Sequence, residues 1–220
     1  MNKIVEILKE IDISTIQYIE EEIDVQYKYI KDLVNNNVNV NKIIQNSLIT
    51  YQLNCKGEIY WREFYEFMLN KRSDVMEFLN NSLCNKRLKK MKITRLLKAQ
   101  NINVNFNFDF VDVWNMLEKY GFKKDYKTTV FAIKMFGYAK RGKLNKFIQF
   151  PMEIPIPVDS RIKKLTKNIT HINPKMFWNM VAKKSDIPPL HIDSILWNLE
   201  NKKLKEIESI KPLIEILIKR

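Results

Sequence analysis

Apolar residues recur at helical spacing along nearly the whole chain, and this pattern limits the fold more than any other feature. Stripes with members three or four residues apart run through Ile4, Phe64, Val113 and Ile195. Such spacing is typical of amphipathic helices, whereas the alternating β-branched pattern of strands is almost absent. The sequence therefore predicts an all-α fold of about ten short helices, arranged as two helical layers that flank a cleft.

The chain is long enough, at 220 residues, for one large domain or two small helical ones. We predict a single unit over residues 1–220 with two helical subdomains, one of residues 1–25 plus 110–220 and the other of residues 26–109. Asp109 or Asp112 is the predicted N-cap of the helix that carries Trp114, and Asp125 is that of the helix that carries Lys127. None of the predicted breaks is a long linker. They fall at Asn35–Asn41, Asn54–Gly57, Asn101–Asp109, Gly142–Pro157 and Ser185–Pro189.

The formal charge is +13, from 38 Lys and Arg against 25 Asp and Glu. This excess favours a polyanionic partner, and nucleic acid is the commonest one. No apolar run reaches the roughly 18 residues that a membrane-spanning helix needs. The N-terminus also lacks the apolar core of a secretory signal. We expect a cytoplasmic, nucleoid-associated protein with no membrane partner.

Only two cysteines and two histidines occur, which limits metal chemistry. Four thiolate ligands for an iron–sulfur cluster are not available, and the spacing matches no zinc-finger pattern. We predict no metal cluster and no cofactor. Cys55 and Cys84 are expected to be reduced thiols in or near the core.

Two pairings of charged and aromatic residues stand apart from the apolar stripes. Lys127, Phe131 and Lys134 lie at i, i+4 and i+7, so they share one helix face. Asp193 and Trp197 lie at i and i+4 on another helix. In isolation, a solvated lysine face and a core tryptophan beside a surface aspartate are the ordinary interpretations.

Four longer segments favour a functional interpretation of these pairings instead. They are GEIYWREF from Gly57, KTTVFAIKMFGYA from Lys127, PMEIPIPVDSRIKKLT from Pro151 and PPLHIDSILWNL from Pro188. In this order they resemble the archaeal GO glycosylases (AGOG), a branch of the helix–hairpin–helix DNA glycosylases that remove 8-oxoguanine. The resemblance implies a helix–hairpin–helix DNA glycosylase fold. Its hairpin is long, unlike the compact glycine-rich hairpin of the wider superfamily.

The resemblance also implies a role for each matching residue. Lys127 is expected to be the nucleophile, and Asp159 the carboxylate that works with it, although Asp159 could equally be an N-cap. The residues expected to contact the extruded base are Phe131 and Trp197 as a sandwich, Lys134 and Asp193 at its polar edges, and Gln26 and Trp61 as further hydrogen-bonding groups.

Basic residues crowd the hairpin and the helix after it, where they are expected to contact the DNA backbone. Solvated charge for solubility accounts for about half of the lysines in such regions. The residues assigned to the backbone are Lys140, Arg141, Lys143, Arg161 and Lys163. A second basic run, from Lys86 to Lys92, is expected to be a solvated face that touches flanking DNA.

These assignments predict covalent chemistry on an extruded nucleotide. A lysine amine is a poor nucleophile while protonated, and a helix N-terminus and a desolvated pocket both favour its neutral form. Attack on C1′ gives a Schiff base, and β-elimination then nicks the strand. We expect a monomeric, bifunctional enzyme that acts on DNA containing 8-oxoguanine. The alternatives are a glycosylase for another oxidised base and a non-catalytic helical DNA-binding module.

Overall fold

The chain is helical in a computed structural model that describes residues 1–71 and 74–218, and no strand occurs in those ranges. The predicted all-α class is confirmed, with more helices than expected. A π-helical turn, Ile19–Ile23, follows α2, and a 3₁₀ turn, Glu208–Ile210, precedes α14. The helices are α1 (Asn2–Lys9), α2 (Ile13–Tyr18), α3 (Val25–Asn35), α4 (Val40–Leu48), α5 (Gly57–Lys71), α6 (Val75–Asn81), α7 (Lys89–Ala99), α8 (Phe110–Lys119), α9 (Lys127–Leu144), α10 (Ser160–Lys167), α11 (Pro174–Ser185), α12 (Pro189–Trp197), α13 (Lys202–Lys205) and α14 (Lys211–Ile218). None of the described helices is both long and apolar enough to cross a bilayer.

Two compact units make up the fold. The terminal unit consists of residues 1–24 and 149–220, and the central unit consists of residues 25–148. The sequence prediction grouped residues 110–148 with the termini, whereas the structure groups them with the central unit. The reason is α9, which packs along α3 and α4 and against α8.

Helix boundaries agree with the sequence at α8 and differ from it at α9. Asp109 caps α8, because its side chain accepts a hydrogen bond of 2.7 Å from the Asp112 backbone N–H. The N-cap of α9 is Tyr126, so the prediction of Asp125 was wrong. The helix also continues past Gly142. A Cβ there would lie 2.8 Å from the Lys31 Cα, so glycine allows α9 to approach α3 closely.

The two cysteines form a disulfide, so the prediction of reduced thiols was wrong. Cys55 precedes α5 and Cys84 follows α6, and their Cα atoms lie 5.2 Å apart. The Asn54 backbone N–H also donates to the Cys84 carbonyl over 2.8 Å. The chain returns to this point through α5 and α6, and no local pattern in the sequence specifies that return.

A polar network lies inside the central unit around Lys92. Its side chain is fully buried, although lysine is almost never found so. The ammonium donates to the Asn85 side-chain oxygen and lies 5.0 Å from the centre of the Tyr51 ring. The Asn85 amide in turn donates to the Tyr60 hydroxyl over 3.1 Å. Burial lowers the pKa of Lys92 from 10.5 to about 8.

Replacement of Lys92 should therefore change how stability depends on pH. Above pH 8 the folded protein releases the Lys92 proton before the unfolded chain does, so the wild type gains stability as the pH rises towards 10.5. Between pH 7 and pH 9.5 we expect this gain to be on the order of 2 kcal/mol relative to Lys92→Met. Urea unfolding of both proteins at the two pH values measures it. A constant difference between them would show that Lys92 does not titrate in this range.

Candidate functional site

The predicted nucleophile, Lys127, lies at the start of α9, on a helix face whose next residues are buried. Lys127 is the first residue of the helix, and its side chain is exposed. Phe131 and Lys134 follow on the same face and are only 9% and 1% exposed. The sequence predicts a helix start and a desolvated pocket for Lys127. The structure provides the helix start but leaves the amine accessible.

The start of α9 is electropositive. Within the described residues, Tyr126 provides no side-chain cap, and no acidic residue lies in the first turn. The free N–H groups of a helix start have a partial positive charge. Arg95 adds a full charge, because its Nη2 donates to the Thr128 hydroxyl over 2.7 Å. Such an arrangement suits anions, and a DNA phosphate is one.

Trp61 of α5 packs against Phe131 and presents a donor without an acceptor. The two rings lie 6.2 Å apart at an interplanar angle of 59°. The Trp61 side chain is fully buried, and its Nε1–H has no hydrogen-bond partner among the residues that the structure describes. An unsatisfied buried donor costs about 1–3 kcal/mol, so its presence needs an explanation. A bound base would provide the missing acceptor.

The other predicted base contacts of the central unit are also buried. Gln26 lies in the first turn of α3 and is 1% exposed. The Lys134 amine lies 5.7 Å from the centre of the Tyr138 ring. The central unit therefore brings together α9 and α5 through Phe131 and Trp61.

The terminal unit brings together Asp159, Arg161 and Trp197. Asp159 is the N-cap of α10, because one carboxylate oxygen accepts from the Ile162 backbone N–H over 2.8 Å. The other oxygen lies 3.6 Å from Nη2 of Arg161. The Arg161 guanidinium covers the Trp197 ring at 4.0 Å and donates to the Trp197 carbonyl over 3.0 Å. The Arg161 guanidinium thus occupies one face of the indole.

Asp193 lies on α12 between two residues that bind the same buried carboxylate. Glu20, in the π-helical turn, is fully buried. It accepts from the Ser194 hydroxyl over 2.7 Å and lies 2.9 Å from Nδ1 of His191. Nε2 of His191 accepts from the Phe150 backbone N–H over 3.2 Å. This acceptor role requires a lone pair on Nε2, so the hydrogen of the neutral ring is on Nδ1 and points at Glu20.

Sequence reasoning missed Glu20. It belongs to a run of three glutamates, Glu20 to Glu22, which is typical of a solvated face. Its partner His191 is 171 residues away. The only available signal was the position of His191, two residues before the predicted base contact Asp193. π-Helical turns often occur at functional sites, but the sequence does not reveal them.

The predicted backbone contacts fall into different environments. Lys143 and Lys163 are exposed. Lys140 is partly buried, and its amine donates to the Phe108 carbonyl over 2.6 Å. Arg141 is fully buried, with its Nε bound to the Ile148 carbonyl at 2.7 Å and its guanidinium 4.3 Å from the Phe147 ring centre. The burial of this guanidinium argues against a direct phosphate contact, and the backbone role of Arg141 stays a prediction.

Known proteins resemble the chain over nearly its whole length. The family model described as AGOG, N-glycosylase/DNA lyase, matches residues 5–219. An N-glycosylase/DNA lyase from Methanococcus maripaludis is 41% identical, with 90% of this chain and 86% of the relative covered. One from Thermococcus kodakarensis is 38% identical, with 97% and 89% covered.

A solved structure agrees with these relatives. The crystal structure of an 8-oxoguanine DNA glycosylase from Pyrobaculum aerophilum, Pa-AGOG complexed with 8-oxoguanosine, is similar with a TM-score of 0.91. It is 26% identical, and the match covers 100% of this chain and 96% of that one.

Removal of the Glu20 carboxylate should loosen α12. Glu20→Ala leaves the His191 Nδ1–H and the Ser194 hydroxyl without their shared acceptor. The Ser194 hydroxyl retains the Leu190 carbonyl at 3.1 Å as an acceptor. We therefore expect a loss of unfolding free energy of about 2 kcal/mol, mainly from the lost bond to His191. Glu6→Ala, an exposed change on α1 of the same unit, is the control and should alter stability by no more than about 0.5 kcal/mol. Equal losses in the two variants would mean that the buried network contributes nothing specific.

Proposed function

The chain belongs to the AGOG family of N-glycosylase/DNA lyases, and we propose that it excises 8-oxoguanine from DNA with Lys127 as the nucleophile. The substrate is suggested by the Pyrobaculum aerophilum relative, whose structure contains 8-oxoguanosine. The nucleophile is suggested by the position of Lys127 at the start of α9. Its exposed amine stands at the end of a face on which Phe131 and Lys134 are buried.

One observation supports this function above the others, and it is the unpaired donor of Trp61. The indole N–H is buried beside Phe131 on the same α9 face that begins with Lys127. A protein that only bound a partner on its surface would gain nothing from a buried donor without an acceptor. A base bound against Phe131 would accept the hydrogen bond and remove the unfavourable energy.

We assign the extruded base to the aromatic groups Phe131 and Trp197 and to two polar groups. The lesion must leave the duplex because C1′ and the damaged base are inaccessible within the stack. Phe131 and Trp197 would replace the lost stacking, at about 1–3 kcal/mol for each aromatic ring. Arg161 holds one face of Trp197 and so fixes the plane of that ring. Lys134 and Asp193 are assigned to the polar edges of the base.

Discrimination against guanine would use the hydrogen at N7 of 8-oxoguanine. An acceptor that faces N7 binds the lesion but opposes the lone pair of guanine. A buried mismatch of that kind costs about 1–3 kcal/mol or more. The Gln26 side-chain oxygen and a backbone carbonyl are the two candidate acceptors. Gln26 is buried at the start of α3, in the same unit as Phe131.

The reaction proceeds through a covalent intermediate in this proposal. The Lys127 amine forms a bond to C1′ while the C1′–N9 bond breaks, and its electron pair leaves with the base. The amine loses a proton, and the departing base gains one. Opening of the sugar at O4′ then gives a Schiff base. Loss of a proton from C2′ breaks the C3′–O3′ bond, which cuts the strand on the 3′ side.

Asp159 is assigned to the charge that develops on the sugar. Because one of its oxygens caps α10, the carboxylate is held in a fixed direction. Its second oxygen, near Arg161, is the one available to stabilise positive charge or to accept a proton. An aspartate can therefore be an N-cap and a catalytic group at once, since the two tasks use different oxygens.

Borohydride trapping tests the nucleophile. Wild-type protein should form a covalent complex with an oligonucleotide that contains one 8-oxoguanine, and none with undamaged guanine. Lys127→Ala should form none, with base release reduced at least about a thousandfold, because the attacking amine is absent. Binding to the same DNA should persist, since the exposed basic residues remain.

Lys119→Ala is the matched control for this experiment. Lys119 is an exposed lysine of α8 that lies outside the residues assigned to the base and to the DNA backbone. Trapping by Lys119→Ala should equal that of the wild type. A covalent complex that survives Lys127→Ala would remove Lys127 from its role. No complex on 8-oxoguanine, but one on another oxidised base, would correct the substrate.

The unpaired N–H of Trp61 leads to a second prediction. Trp61→Phe removes the indole N–H and leaves a small cavity, so affinity for 8-oxoguanosine should fall about tenfold while the free protein loses less stability than Trp178→Phe does. Trp178→Phe is the reverse case, because the Trp178 Nε1–H is already bound to the Thr166 hydroxyl at 2.9 Å. It should lower stability and leave nucleoside affinity unchanged. Calorimetric titration and thermal unfolding of both variants decide between base recognition and a packing role for Trp61.

A further inference from the structure

A leucine projects from the loop between α6 and α7 in a way that packing does not explain. Leu83 is 71% exposed, the highest fraction among the large apolar side chains that the structure describes. Its neighbours Ser82, Cys84 and Asn85 are all buried. Single exposed apolar residues are ordinary on protein surfaces. What sets Leu83 apart is that the backbone on either side of it is anchored while its own side chain is held in solvent.

The anchors come from α5 and from the disulfide. One oxygen of Glu63 accepts from the Leu83 backbone N–H over 2.6 Å, and the other accepts from the Ser82 hydroxyl over 2.7 Å. Cys84 is joined to Cys55, and the Asn85 backbone N–H donates to the Ser82 hydroxyl over 3.1 Å. Folding Leu83 inward would break several of these bonds. The side chain is therefore preorganised to project.

The surroundings of Leu83 are cationic. From Leu83 to Ala99 the chain contains no Asp or Glu, and its exposed cations are Lys86, Arg87, Lys90 and Lys98. Lys92 and Arg95 bind groups inside the unit, and the Glu63 carboxylate is the acidic group that contacts the Leu83 backbone. Leu88 and Met91, at the start of this stretch, are also exposed, at 47% and 58%. The partner that suits such a surface is polyanionic and accepts an apolar side chain. Duplex DNA meets both conditions, because apolar side chains can enter between base pairs while cations bind the phosphates.

The loop is also connected to the proposed reaction centre within the central unit. Glu63, which holds Leu83, lies two residues after Trp61 on α5. Lys92 of α7 binds Asn85 in the loop, and Arg95, one turn further along α7, binds Thr128 beside Lys127. Helices α5 and α7 thus fix the position of the Leu83 loop relative to the start of α9. DNA bound at Lys127 would therefore meet the Leu83 side chain at a fixed position.

We propose that Leu83 inserts into duplex DNA beside the extruded nucleotide and that the basic stretch after it binds the flanking phosphates. This inference rests on the proposed function and deepens it, because it assigns the step that opens the stack. Filling the gap left by the lesion opposes its return, and unstacking one base step costs a few kcal/mol. The Leu83 wedge matters for duplex DNA only. In a single strand the base is already accessible.

Single-turnover excision from one 8-oxoguanine oligonucleotide, as a single strand and as a duplex, tests the wedge. In Leu83→Ala the duplex rate should fall at least about tenfold, with the single-strand rate within about twofold of the wild type. Leu97→Ala is the matched control, since Leu97 is 54% exposed within the same basic stretch. It should leave both rates unchanged. Equal losses on both substrates, or no loss in Leu83→Ala, would overturn the proposal.

A fluorescence measurement separates the wedge from the chemistry. A 2-aminopurine placed next to the lesion in a duplex brightens when its stack opens. In the Lys127→Ala background, which prevents cleavage, binding should brighten the probe, and adding Leu83→Ala should abolish most of the increase. If wild-type protein released no 8-oxoguanine, the proposed function would fail, yet this signal would still decide the wedge. Loss of binding to anionic phospholipid vesicles in Leu83→Ala, with the fluorescence unchanged, would identify a membrane surface as the partner instead.

Discussion

The burial of α9 is the constraint on which the central unit depends. From Thr128 to Ala139 every residue of this helix is buried, and α3, α4 and α8 pack around it. A helix surrounded in this way cannot rotate or slide without leaving cavities, and deletion of large core side chains costs several kcal/mol. Its first residue therefore has a fixed position, although the Lys127 side chain is exposed. The same packing explains Gly142, which permits the close approach of α3, and the inward direction of Arg141.

The sequence predicts the parts of this structure that depend on local periodicity and on motifs. The helical class, the face that joins Lys127 to Phe131 and the cap at Asp109 all follow from spacings within one or two turns. Contacts between distant segments do not. Cys55 and Cys84 are separated by 29 residues, and Glu20 reaches His191 across 171. The same limit applies to the burial of Arg141. The charge is visible in the sequence, but the direction of the side chain depends on Ile148 and Phe147.

The N-cap role of Asp159 is compatible with the catalytic role that we propose for it. As the N-cap of α10 it is oriented by the Ile162 N–H, and Arg161 balances its charge from the other side. The same arginine stacks on Trp197, so the carboxylate and the indole have a common support. A catalytic carboxylate needs a fixed direction more than it needs freedom, since preorganised charge avoids reorganisation during the reaction. The cap provides that direction without using the second oxygen.

The two fully buried tryptophans differ in the hydrogen bonding of their indole N–H groups. Only Trp178 has a partner for its N–H among the described residues, whereas Trp61 is one of several residues with a buried polar atom that lacks one. Lys92 is equally enclosed, yet Asn85 accepts from it. An unpaired donor costs stability in the free protein. In the proposed complex, the base would provide the acceptor for the Trp61 N–H. The position of this donor, against the ring of Phe131, is where a binding site would use it.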